Sequence, residues 1–171
     1  MHKAHSYIGL GSNQGDSSAL LDSALKAIDA LDDTRVLKAS SLYASSPMGP
    51  KDQPDFVNAV VLTETSLAPL SLLHALQNIE SSHGRMRSGE RWGPRTLDLD
   101  ILMYGDQVLQ SEELTVPHYG MGDREFVLVP LFEIAPNMVM PDGQPLAAWV
   151  AKCNLDGLRR LKDFQSSAKS V

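Results

Sequence analysis

Asp98 and Asp100, in the stretch "RWGPRTLDLDILMYG" (residues 91–105), are the residues whose type and spacing most invite chemistry. Leu97, Leu99, Ile101 and Met103 take one set of alternate positions, as a core-facing strand requires. The two aspartates take the other set, on the opposite face. Side chains at i and i+2 of a strand point the same way, with Cα atoms roughly 6.5 Å apart. Strands avoid Asp, and like charges this close repel. Four of the eight arginines (Arg85, Arg87, Arg91, Arg95) fall within the eleven residues leading into this strand. Paired carboxylates suit magnesium, a hard ion usually held by one or two carboxylates together with substrate phosphates. Two such ions, about 3.5–4 Å apart, can clamp an in-line displacement at phosphorus. Guanidinium forks suit the phosphates themselves. The alternative is a solvated loop, with the arginines paired to Glu90 and its neighbours and the aspartates paired to Arg95 or Arg124. Surface ion pairs of that kind contribute little.

A second anomaly lies in "FVNAVVL", where Phe56, Asn58, Val60 and Leu62 share a face. A buried Asn without partners costs about 1–3 kcal/mol, so Asn58 needs a hydrogen-bond mate. Its amide could read the edge of a flat heterocycle with Phe56 stacked nearby, or it could bond a neighbouring backbone group.

Other motifs fail. "GLGSNQG" resembles a dinucleotide fingerprint, but Gln14 stands where the third glycine is required and Gly15 comes one residue late. There is no G-x-x-x-x-G-K-[ST] sequence. One cysteine, Cys153, and histidines at 2, 5, 74, 83 and 118 have no zinc-ligand spacing. Cys153 reads as a small apolar filler, and His74 and His83 as solvated helix positions.

The elements that must position these residues follow from periodicity. Residues 5–11 form a first strand. A helix capped by Asp16 or Ser17 carries Leu21, Ala24, Leu25, Ile28 and Leu31 on one face. Val36–Tyr43 and Phe56–Thr65 are further strands. A second helix starts near Pro69, carries Leu72, Leu73, Leu76 and Ile79, and stops at Gly84. The Leu97–Tyr104 strand and a hairpin-like piece around Gly105 to Leu109 follow. Residues 126–134 are apolar but interrupted by Pro130; Leu146–Val150 start a closing helix, and the tail from Gln165 is expected to fray. The order β-α-β-β-α-β is the ferredoxin-like α+β plan, an antiparallel sheet with helices on one face. Loops at about 44–55 and 82–95 are long enough to be functional.

The chain has 171 residues and a net charge of −6, with a pI near 5.3. One domain spanning 1–171 (core about 5–160) is expected. The acidic balance argues against nucleic acid as a partner. There is no leader-like apolar stretch at the start and no apolar run of membrane-spanning length, so no membrane is expected. A lone cysteine fits a reducing compartment, and a cytoplasmic protein is the default.

Taken together, "YIGLGSN", "PDFVNAV", "ERWGPRTLDLDIL", "LTVPHYGM" and "REFVLVPLFEIAP" resemble, in order and spacing, 6-hydroxymethyl-7,8-dihydropterin pyrophosphokinase, from about residue 6 to residue 150. The resemblance implies a ferredoxin-like fold and transfer of the ATP diphosphate to the pterin hydroxymethyl group, with AMP released, in folate biosynthesis. By it, Asp98 and Asp100 bind two Mg²⁺ ions, and Arg85 and Arg95 act on the triphosphate around the chemical step. ATP contacts fall on Leu73, Gln77, Glu80, Arg87, Arg91, Trp92, Ile101, Thr115, His118, Tyr119 and Arg124. The pterin site falls on Ser45, Ser46, Met48, Phe56, Asn58, Trp92, Asp98 and Phe126, with Phe56 and Phe126 on either side of the ring. The two long loops correspond to lids, and a monomer is expected. Some relatives have Tyr for Phe56, Leu for Met48, Pro for Ser46 and Lys for Ser88.

Two rival readings fit the sequence less well. A non-catalytic binding domain on the same fold would not need paired acids beside four arginines. A single-strand RNA binder would need stacked aromatics and a basic sheet face, and neither is present.

Overall fold

The structure, a computed structural model, describes residues 3–12, 17–45, 56–83, 97–118, 124–153 and 158–162. Strand β1 (Ala4–Ser12) leads into helix α1 (Ser17–Asp29), then β2 (Thr34–Ala39), β3 (Leu42–Ser45) and β4 (Phe56–Thr65). Helix α2 (Pro69–Ser82) precedes β5 (Asp98–Tyr104). The small strands β6 (Leu109–Gln110) and β7 (Thr115–Val116) pair with each other; α3 (Glu125–Ile134), α4 (Leu146–Ala151) and β8 (Leu158–Lys162) complete the described elements.

The six-stranded sheet runs β5-β1-β4-β3-β8, with β2 also on β4 and every pairing antiparallel. Thus β2 and β3 are the two halves of what the sequence reads as one strand, Val36–Tyr43. The register against β4 slips between Val36 and Lys38, and the strand breaks at Ser40–Ser41. There the Ser40 hydroxyl accepts from Val60 N–H while Ser41 N–H leaves the ladder for Glu133 Oε1 at 2.8 Å. A polar pair interrupts the strand because its side chains offer the backbone other partners.

Leu21, Ala24, Leu25 and Ile28 of α1 and Leu72, Leu76 and Ile79 of α2 bury themselves on one sheet face against Ile8, Leu10, Val57, Ala59, Val61, Leu99 and Ile101. That is the helix face expected from the sequence. The opposite face is covered too, but only over part of its area. Val127, Leu128 and Leu131 of α3 and Leu146 of α4 pack there on Val60, Leu62 and Leu102. Pro130 did not prevent the helix at 125–134; it removes one donor from a short element held by its buried apolar face. β8, a further strand with two arginines beside the sheet edge, was not foreseen, and residues beyond it lie outside the description.

Strand β5 changes sides midway. The β1 pairing slips between Tyr7 and Ile8, so Tyr7 faces Met103 whereas Ile8 faces Ile101. A bulge of this kind breaks the period of two. Leu99 and Ile101 belong to the α1/α2 core, Leu102 and Met103 pack on the α3/α4 side, and Tyr104 returns to the first core. Met103 therefore does not share the face of Leu97, Leu99 and Ile101.

His83 is not a merely solvated position. Its Nδ1 lies 2.8 Å from Ile79 O and its Nε2 2.8 Å from Ser23 Oγ, so it closes α2 and ties it to α1. Gly84 lies outside the described residues. Among the described residues, no helix is long and apolar enough to cross a membrane.

Candidate active site

The part of the second sheet face that α3 and α4 do not pack against holds the candidate residues, and Tyr43, Ser45 and Asn58 are buried there. Cross-strand partners share a face, so the register defines which side chains meet. Asp98 is opposite Gly11, Gly11 is opposite Asn58, and Asn58 is opposite Tyr43. One row of four residues thus crosses β5, β1, β4 and β3. The next row along places Asp100 opposite Gly9 and Gly9 opposite Val60. Strands are about 4.8 Å apart, so Asp98 and Asn58 stand roughly 10 Å from each other across a residue with no side chain.

The glycines leave room on that face for the side chains of the neighbouring strands. A Cβ on Gly11 would lie 2.7 Å from Asn58 Nδ2, closer than any side chain tolerates, whereas one on Gly9 would make ordinary contact with Leu102 Cδ2 at 3.5 Å. These are the site residues that the motif search missed. The "GLG" run fails as a dinucleotide fingerprint; its glycines instead leave the carboxylate face of β1 without side chains. Their spacing of two, matching Asp98 and Asp100, is the signal that could have found them.

Asn58 is 9% exposed and its Oδ1 is buried with no hydrogen-bond partner among the described residues. The mate expected for its amide is thus absent on the acceptor side. An orphaned acceptor in a central strand costs free energy unless a donor arrives from a ligand or water. Phe56 is half-buried beside it on the same face, and Ser45 pairs with Phe56 in β3. Phe126 opens α3, with the Arg124 guanidinium 5.9 Å from its ring centroid.

Among the described residues no strand pairs with the outer edge of β5, and two groups occupy it. Glu80, 4% exposed, accepts the Leu99 N–H through Oε2 at 2.8 Å. His118 N–H donates to Leu102 O at 2.9 Å. A buried carboxylate thus grips the one residue between the two aspartates, fixing where both project. Leu73, Gln77 and Glu80 form one stripe of α2, at i, i+4 and i+7, and α2 lies against β5. Thr115 in β7 reaches the same edge, while Ile101 is buried in the core beneath it.

Asp98 is half-buried and Asp100 exposed. His118 feels Asp100: burial lowers its pKa from the ordinary value, Asp100 pulls it up, and Arg124 pushes it down. The fall wins, so the ring is held neutral near pH 7. Among the described residues no cluster of three metal-binding side chains exists. The donor set nevertheless fits magnesium, because two hard carboxylates on one strand face, the outer one exposed, leave the remaining positions for phosphate oxygens and water. The structure brings together Asp98, Asp100, Phe56, Asn58 and Ser45 on the sheet, with Glu80, Thr115 and His118 along the β5 edge. Arg85, Arg87, Arg91, Trp92, Arg95, Ser46, Met48 and Tyr119, and most of both long loops, lie outside the described residues.

The family model for 7,8-dihydro-6-hydroxymethylpterin-pyrophosphokinase matches residues 7–136. The 2-amino-4-hydroxy-6-hydroxymethyldihydropteridine pyrophosphokinase of Haemophilus influenzae is 56% identical over 138 residues, 81% of this chain and 86% of that protein. The enzyme of the same name from Pseudomonas aeruginosa is 50% identical over 155 residues, 91% of this chain and 95% of that protein. Among solved structures, an HPPK-DHPS in complex with substrates superposes with a TM-score of 0.73 at 12% identity, covering 92% of this chain and 48% of that one. Plasmodium falciparum HPPK-DHPS with pterin and p-hydroxybenzoate gives 0.73 at 15% identity, over 93% and 46%. The chain spans about half the length of those two solved chains, and likeness at such identity speaks to the fold alone, here ferredoxin-like. With the family model covering most of the chain and half or more of the residues shared with two full-length relatives, this chain belongs to the 7,8-dihydro-6-hydroxymethylpterin pyrophosphokinase family.

Proposed function

We propose that this chain carries out its family's reaction over the part of the sheet bearing Asp98, Asp100 and Asn58, with ATP and 6-hydroxymethyl-7,8-dihydropterin as substrates and two Mg²⁺ ions held by Asp98 and Asp100. The pterin hydroxymethyl oxygen bonds to the β-phosphorus, the bond from that phosphorus to the oxygen bridging the α-phosphate breaks, AMP leaves, and the hydroxyl proton is released. The magnesium ions, when bound, neutralise triphosphate charge and polarise the reacting phosphoryl oxygens.

The chain's own residues do the rest. Asn58 Oδ1 accepts from a ring N–H or amino group, and its burial makes a ligand lacking that donor costly to admit. Phe56 and Phe126 close on the faces of the ring. Asp98 stands in the Asn58 row and serves both halves of the reaction, whereas Asp100, one step along β5, serves the phosphates. Glu80 holds the strand between them. Neutral His118 acts as a hydrogen-bonding group at the β5 edge, with Thr115, Leu73 and Gln77 beside the nucleotide. Arg85 and Arg95, by resemblance, supply the opposing clamp on the triphosphate.

The observation that carries this reading is the Asn58 acceptor, unpartnered among the described residues, one glycine away from the Asp98 carboxylate. Chromatography of a mixture of protein, ATP, Mg²⁺ and the reduced pterin tests it. AMP formed only when all four are present supports the reading. ADP as the product would mean transfer of the γ-phosphoryl group instead, and formation of neither AMP nor ADP would leave a binding domain.

A further inference from the structure

Glu133, near the end of α3, is outside every site discussed so far, yet its carboxylate is more heavily engaged than a surface glutamate requires. Ser41 N–H donates to Oε1 at 2.8 Å, Ser41 Oγ to Oε2 at 2.8 Å, and the Tyr43 hydroxyl to Oε1 at 2.8 Å. Arg160 Nε of β8 in turn donates to Ser41 Oγ at 2.7 Å. These bonds join α3, the β2–β3 break and β8 at one point.

What they join matters. Tyr43 is the cross-strand neighbour of Asn58, so Glu133 grips the strand that walls the Asn58 acceptor. Phe126 stands seven residues before Glu133, two helical turns along one stripe of α3, a rise of about 10.5 Å. Between them Pro130 has no N–H to return to Phe126 O, so the helix ladder holds the first turn of α3 less firmly than usual. A short helix missing that bond needs an external anchor if its first turn is to keep a fixed height over the sheet.

We propose that Glu133 is a positioning residue for the pterin pocket: by bonding Ser41 and Tyr43 it sets the spacing between the Asn58 row and Phe126. It touches neither substrate nor metal, and it acts through those two residues. The proposal rests on the reading of Asn58 and Phe126 as the pterin site.

The test is steady-state kinetics on the full chain with Glu133→Ala, Glu133→Gln and Tyr43→Phe, below the melting temperature of each variant. Glu133→Ala should raise KM for the pterin about tenfold or more while KM for ATP stays within about twofold. Glu133→Gln, which keeps an acceptor for Ser41 N–H, should recover part of that loss, and Tyr43→Phe should show part of it. Equal rises in both KM values, or a fall in folded fraction with unchanged kinetics of the remainder, would assign Glu133 a structural role only and overturn the inference. An unchanged pterin KM in Glu133→Ala would overturn it too. A wild-type chain that neither binds nor turns over the pterin would instead refute the functional reading itself.

Discussion

Gly11 and Asn58 are cross-strand partners so close that a methyl group on the first would fall 2.7 Å from the amide nitrogen of the second. Gly11→Ala should therefore displace the Asn58 side chain while the backbone, in ordinary strand conformation, stays put. The expected result is pterin affinity weakened roughly tenfold or more, with nucleotide affinity little changed. Gly9→Ala, whose methyl would meet only Leu102 at 3.5 Å, should cost much less. Calorimetric titration of both ligands checks this; equal behaviour of the two variants would mean that the close approach at Gly11 has no functional weight.

Asn58→Ala removes the orphaned acceptor outright. Pterin binding should be lost selectively, and the apo fold should not lose stability, because no partner among the described residues is left behind. Thermal melting beside pterin titration separates this from a structural role, in which melting temperature and both affinities would drop together.

Glu80 is expected to matter for strand placement. Glu80→Ala leaves the Leu99 N–H without its buried acceptor, at a cost of about 1–3 kcal/mol. A chain of this size should then melt several degrees lower, at about 2–4 °C per kcal/mol. Glu80→Gln retains an acceptor oxygen and should melt closer to wild type. An Ala variant as stable as wild type would show that the contact does not hold β5.

His118 supplies a pH dependence with a definite sign. Its folded pKa is lowered, chiefly by burial, below an unfolded value of about 6.5. Between those two values the unfolded chain binds more protons, so this residue's contribution to stability is full above about pH 6.5 and is lost as pH falls toward the folded value. In the apo protein, NMR titration should find the ring titrating below 6.5. Asp100→Asn should lower the midpoint further, and Arg124→Ala should raise it. A wild-type midpoint above 6.5 would contradict the balance of these causes.

Much of this architecture was legible in the residues. The helical stripes of α1 and α2 reported one buried face each, and the like-charged pair on β5 marked the candidate site. The pieces that escaped share a physical reason. Tyr7 opposite Met103 depends on a bulge, and a bulge is a property of two paired strands rather than of one. Helix α3 was hidden by Pro130, since its stability comes from burying Val127, Leu128 and Leu131 on a sheet that the segment cannot reveal alone. His83 looked solvated because its partners, Ser23 and Ile79, are brought together only by the packing of α1 on α2. The glycines of β1 were misjudged because their role is set by what stands opposite them.

The claim that Asp98 and Asp100 exist to hold cations against a triphosphate is tested most directly by counting bound metal. Mn²⁺ titrated against the chain with a non-hydrolysable ATP analogue and the pterin can be followed by electron paramagnetic resonance. Two tightly held ions per wild-type complex are expected, with no more than the nucleotide's own ion left in the Asp98→Asn/Asp100→Asn variant. That variant should also lose turnover, on the order of a hundredfold or more. The same ion count and turnover with and without the two carboxylates would contradict the account.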